Sequence, residues 1–209
     1  MSRAVIRPVA LFLTTMTIVI GMTIAAGTAG VAVVDIIRGY SNGATHYAKG
    51  HLSAVSALFR FARTGDQQDF DEYRRRLHPT MSDGRAREIL DAEDLPISSS
   101  YPYLIQGGNN PSDVAGMAWL YRVFRESALF RPARETWILA DERVKQIDAL
   151  AHQLRQLILT DPENLDARRE MVRKIEEIDA DLIKLEETFS QQLGFPARSL
   201  TSFLLWGLS

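Results

Sequence analysis

Residues 8–34, PVALFLTTMTIVIGMTIAAGTAGVAVV, contain no charged side chain. A helix of about 20 apolar residues spans the hydrocarbon core of a bilayer, whereas the core of a secretory leader is about 7–15 residues. The uncharged run is 27 residues long, so it reads as a retained transmembrane helix. The small-residue stretch AAGTAG leaves a cleaved leader as the alternative. Arg3 and Arg7 stand at its N-terminal flank, and a positive flank stays cytoplasmic. The chain after Asp35 is then expected outside, in the periplasm of a bacterium, with membrane lipid as the partner of residues 8–34. Gly21, Ala25 and Ala29 recur at four-residue spacing, which lets two such helices pack closely but is also ordinary in membrane helices.

Charge sharpens the contrast between anchor and body. All 26 acidic residues lie from Asp35 onward, against 22 of the 24 basic ones, so the body carries a net charge of −4. An acidic body lacks the basic face that nucleic acid requires, and no nucleic-acid partner is expected. There is no cysteine, which excludes disulfides and thiolate metal sites. The four histidines, at 46, 51, 78 and 152, have no paired spacing, so no metal site is expected. No phosphate-binding Gly-rich loop, nucleophile elbow or His-Glu-x-x-His motif occurs, and neither an enzyme nor a cofactor is expected in this chain.

The body reads as helical throughout. Val55, Leu58, Phe59 and Ala62 form one apolar stripe that ends at Gly65, a residue suited to a left-handed helix end. GDQQDFDEYRRRL restarts a helix with Asp66 as N-cap and Phe70, Tyr73 and Leu77 inward, and HPTMSDG is expected to break it. DLPISSSYPYLIQGGNN (94–110) reads as an ordered loop. NNPSDVAGMAWLYRVFR then opens a helix with Asn110 as cap and Pro111 first. Trp137, Ala140, Val144, Ile147, Ala151, Leu154 and Ile158 keep a heptad without a slip. In TDPEN, Asp161 is the expected N-cap of the next helix, whose stripe is Met171, Ile175, Ile178, Leu182, Leu185 and Phe189. A short turn makes these last two helices antiparallel neighbours.

Polar and aromatic residues within this frame supply candidate ligand-binding positions. They are Arg60, Asn109, Asn110, Trp119, Arg122, Arg125, Trp137 and Asp141. Arginine forks, a helix N-terminus and aromatic walls would together suit a small anionic metabolite. The same residue types also serve capping, interhelical pairing and core filling.

Segments 56–88 and 107–150 resemble the N-terminal extracytoplasmic helical sensor region of bacterial transmembrane signalling proteins. The likeness rests on ALFRFARTGD (57–66), SDGRAR (82–87), GGNNPSDVAGM (107–117), LYRVF (120–124), WILAD (137–141) and LEETFSQQLG (185–194). PTMSDG replaces that family's usual Pro-Leu-Gly-Asp, and Asn110 stands where its members often have His. The resemblance implies a periplasmic sensor between two membrane helices. The second helix would feed a cytoplasmic histidine kinase, diguanylate cyclase or phosphodiesterase, or chemoreceptor tail, and such receptors often work as homodimers.

The expectation is therefore an all-α chain: an N-terminal transmembrane helix plus an elongated antiparallel helical bundle sensor domain. Residues 1–37 form a cytoplasmic stub and first membrane helix, 38–198 a periplasmic sensor domain, and 199–209 the start of a truncated second membrane helix in the bacterial inner membrane. The alternative is a stand-alone membrane-anchored binding or scaffold protein; an enzyme of unrecognised chemistry is weaker.

Overall fold

The structure, a computed structural model, describes the backbone of residues 3–206 and the side chains of residues 15–19, 21, 22, 36 and 38–193. The chain is all-helical, with no strand among the described residues. Four long helices carry it: α1 (Arg3–Thr64), α2 (Gln67–Asp91), α5 (Arg131–Thr160) and α6 (Leu165–Trp206). Between α2 and α5 lie a 3₁₀ turn (Ile97–Ser100) and two short helices, α3 (Tyr101–Gln106) and α4 (Val114–Phe124). The chain divides into two units, residues 1–35 with 197–209, and residues 36–196. The side chains of the expected membrane segments, 8–34 and 199–209, lie outside the described residues apart from positions 15–19, 21 and 22. Among the described residues no helix is long and apolar enough to cross a membrane.

Within residues 36–196 the core is a four-helix bundle built on three-four spacing. From α1 it takes Ala54, Leu58 and Phe61, from α2 Phe70, Tyr73 and Leu77, and from α6 Ile175 and Leu182. Every member of the α5 heptad from Trp137 to Ile158 is buried. The turn at 161–164 joins the end of α5 to the start of α6, and Trp137 early in α5 meets Phe189 late in α6 with ring centroids 5.7 Å apart, so α5 and α6 run antiparallel. Gly65 ends the first long helix at φ 71°, and the Asp66 carboxylate accepts from Gln68 N at 2.9 Å to start α2.

Four expected boundaries move. HPTMSDG does not break α2, which runs through Pro79 to Asp91. Pro79 forfeits one backbone bond, but Thr80, Ser82, Asp83 and Gly84 are all buried just after it. Thr80 donates to the Tyr47 carbonyl of α1 at 3.2 Å, and Ser82 donates to the His78 carbonyl at 2.9 Å, so tertiary packing holds the helix through the proline. The 94–110 segment is helical in part, through the 3₁₀ turn and α3, which bury Ser100 and Leu104. Both later caps shift by three residues. Asn110 forms a turn by accepting from Ser112 N and Oγ, and α4 begins only at Val114. Asn164 rather than Asp161 accepts from Ala167 N, at 3.1 Å, to start α6.

Candidate functional site

Three-four spacing on α1 does not begin at Val55. Tyr40, Ala44, Tyr47, His51, Ala54, Leu58 and Phe61 continue it two turns and more toward the N-terminus, and most are buried. The two tyrosines of this upper stretch face a cavity. Tyr40, Gly43, Ala44 and Tyr47 of α1 form one wall, and Asp83 of α2 with Asn109 forms another. Trp137 and Ala140 of α5, Met117 of α4, Leu104 of α3, and Glu186 and Phe189 of α6 close it. The half-buried lining residues are Ala44, Glu186 and Phe189, which places the mouth between α1 and α6. The cavity volume is about 40 Å³, room for a water molecule or two.

Ionisable groups crowd around it. His51, fully buried, presents Nε2 to Asp179 at 2.6 Å and Nδ1 to Glu186 at 3.0 Å. Both partners are carboxylates, so both ring nitrogens act as donors and the ring is an imidazolium. Burial alone would push its pKa down, but the bonds to Asp179 and Glu186 and their charges outweigh it and raise it to about 9. On the opposite side Asp141 Oδ2 accepts from Arg87 Nε at 2.5 Å, and Oδ1 accepts from Tyr47 at 3.2 Å. Burial raises the Asp141 pKa to about 6 despite Arg87. Among the described residues Asp83 has no ion-pair partner. Burial and then the Asp141 charge push its pKa well up, with one opposing hydrogen bond from Asn109 Nδ2 at 3.0 Å.

The eight sequence candidates divide. Asn109, Trp137 and Asp141 come together at or beside this cavity. Asn109 is 7% exposed; its two amide hydrogens go to Asp83 Oδ1 and the Leu104 carbonyl, and its Oδ1 has no partner. Trp137 packs edge-on to Tyr40 and Tyr121. The arginines go elsewhere. Arg60 pairs with Asp69 at 3.0 Å on an exposed face; it lies 13 residues beyond Tyr47, about 20 Å along the helix. Arg125 Nη1 donates to the Leu90 and Asp91 carbonyls at 2.8 and 2.9 Å, and Arg122 Nη2 donates to the Ile89 and Leu95 carbonyls. Both thus satisfy the C-terminal end of α2, where orphan carbonyls and the helix dipole favour a cation. Asn110 is spent in its turn, and Trp119 is exposed beside Phe124. None of Arg60, Arg122 and Arg125 lines the cavity, so the expected arginine grip on an anion is not assembled there.

Sequence reasoning passed over Tyr40, Gly43, Tyr47, His51, Asp83, Arg87 and Glu186. The signal was present on α6, where Asp179 and Glu186 are one heptad apart and each follows an inward residue, Ile175 or Leu182, by four. Two acids on the inward side of a bundle helix require a buried cation. Among the described residues no group of His, Asp and Glu is arranged to hold a metal ion. Comparison with family models, with curated proteins and with solved structures finds no significant match.

Proposed function

We propose that this chain is the signal-input part of a bacterial transmembrane receptor. Residues 8–34 anchor it in the inner membrane, residues 38–198 form a periplasmic helical sensor, and a helix continuing from α6 carries the signal to a cytoplasmic output such as a histidine kinase or diguanylate cyclase. One observation supports this reading above the others. The cavity shares Glu186 with the ion cluster that ties α1 to α6 through His51. A molecule contacting Glu186 therefore competes with, or reinforces, the link between the first long helix and the last. A ligand that prefers one packing of α1 on α6 shifts the population toward it, and helix displacements of about 1–2 Å are the usual size of such a shift. Sequence resemblance supplies the direction of transmission and the homodimeric assembly.

The test needs no ligand. The chain is fused through Ser209 to a cytoplasmic histidine-kinase output, and kinase activity is compared between the parent fusion and fusions carrying His51→Gln or Glu186→Gln. The expected result is a several-fold change in activity at equal protein level. Unchanged activity in both variants, or reporter tags placing residues 44–196 in the cytosol, would sink the reading. A stand-alone anchored scaffold predicts the unchanged result.

A further inference from the structure

The polar character of the cavity is one-sided. Among the described residues no Lys, Arg or His side chain lines it, whereas two carboxyl groups, those of Asp83 and Glu186, do. The Tyr40 hydroxyl is spent on the Met117 carbonyl at 2.7 Å and the Tyr47 hydroxyl on Asp141. Asn109 has no N–H left, and its buried Oδ1 accepts nothing. That oxygen faces Gly43, another lining residue, so closely that a Cβ there would lie 2.5 Å from it. Glu186 uses Oε1 on His51, leaving Oε2 for another donor.

Charge points the same way. Asp83, Asp141, Asp179 and Glu186 are four acids around the cavity, and Arg87 and the His51 imidazolium are their two buried cations. Adding Asp91 with its partner Arg134 changes nothing in this balance. Unpaired buried charge is costly, so burial and the Asp141 charge favour the neutral form of Asp83, and an entering cation would favour its carboxylate. The walls are Tyr40, Tyr47, Trp137 and Phe189, the ring types that attract an ammonium group. An orphan carbonyl oxygen, two carboxyls and four aromatic rings around a small space suit one ligand class.

Resting on the reading of this cavity as the sensory site, we infer that the site takes a small primary amine, with its ammonium head between Asp83, Asn109 Oδ1 and Glu186. The volume admits the head alone, so the rest of the molecule projects through the mouth beside Ala44 and Phe189.

Binding is measured calorimetrically on the full chain in nanodiscs, with methylammonium and ethanolamine as probes. Controls are acetate, inorganic phosphate, and methanol and ethylene glycol, the uncharged isosteres of the two probes. At least one cation is expected to bind saturably and to beat its neutral isostere by more than about tenfold, equivalent to 1.4 kcal/mol. Asp83→Asn keeps the side-chain size and is expected to cost a similar factor, with Glu186→Gln as the second variant should Asp83→Asn misfold. Arg125→Ala is expected to lower the melting temperature and leave the affinity unchanged. An anion or the neutral isostere binding as tightly as the cation overturns the inference, as does no binding of any cation up to about 10 mM. Cation binding together with an unresponsive kinase fusion would preserve this inference and remove the receptor reading; anion binding with a responsive fusion would do the reverse.

Discussion

His51 stays protonated inside the bundle because Asp179 and Glu186 hold both of its nitrogens. Its pKa is raised from 6.5 to about 9, so the proton it holds stabilises the fold fully below pH 6.5, and that contribution is lost as pH rises through 9. The shift corresponds to about 3 kcal/mol at most. Melting temperature is therefore expected to fall between pH 6.5 and 9 more steeply in the wild-type chain than in His51→Gln, and equal slopes would remove His51 as the cause. Comparing slopes matters because the raised carboxyls act with the same sign. Asp141, raised from 3.8 to about 6, gives up its contribution between those values, and Asp83, also raised by burial, acts in the same direction. Arg87 is what permits Asp141 to ionise at all. Arg87→Ala leaves that carboxylate buried and unpaired, a change worth roughly 3–5 kcal/mol. The loss is expected to be smaller at pH 5 than at pH 8, because at pH 5 the orphaned Asp141 is neutral; urea denaturation at the two pH values checks it.

Helix by helix, the places where side chains leave room for backbone explain the packing better than propensity does. Gly50 of α1 sits where a Cβ would lie 2.9 Å from Thr80 Oγ1 and 3.3 Å from the Arg76 carbonyl of α2. Gly50→Ala is thus expected to force α1 away from α2 and cost about 1–3 kcal/mol by overpacking, read as a lower midpoint in thermal melts. A gain in stability, as exposed-helix propensity alone would give, would contradict the close approach. The α2 continuation past Pro79 belongs to the same contact, and here sequence reading ran out. Proline and glycine in HPTMSDG signal a break locally, and the partners that override them, Tyr47 and Asp141, are over 30 residues away. The α5 heptad was legible because each of its positions is apolar and its burial follows from spacing alone. On α1 the stripe from Tyr40 to His51 mixes tyrosine, glycine and histidine, so its inward face carries no apolar signal. The cavity was correspondingly half legible: Trp137, Asp141 and Asn109 stand out by type, whereas Asp83 falls in HPTMSDG, which signals a break, and Glu186 is one of several acids along α6. Arg122 and Arg125 could not be sorted from sequence, because a guanidinium that finishes a helix C-terminus and one that grips a ligand look identical there.

Across the whole molecule, α1 is continuous from Arg3 to Thr64 and α6 from Leu165 to Trp206, so a change in their mutual register around His51 cannot be absorbed by a helix break at that level. The chain has no cysteine, which makes paired spin labels clean. Cysteines placed at Ser56 of α1 and Lys184 of α6, both exposed, report the distance between the two helices in the full chain. Removing the Glu186 charge by Glu186→Gln weakens one of the two bonds to His51 while Asp179 keeps the other, so the bundle should survive with its α1–α6 equilibrium shifted rather than unfold. The label distance is expected to move by about 1–2 Å, or to broaden into two populations, with helix content by circular dichroism unchanged. The size of the effect is bounded: weakening one charge-assisted bond worth roughly 1.5–3 kcal/mol changes a population ratio by no more than about 10–150-fold. That is enough to exchange the major and minor states only if they differ by less than this energy. An unmoved, unbroadened distance would mean that the His51 cluster holds a single packing, and that whatever occupies the cavity stabilises the bundle without being transmitted along it.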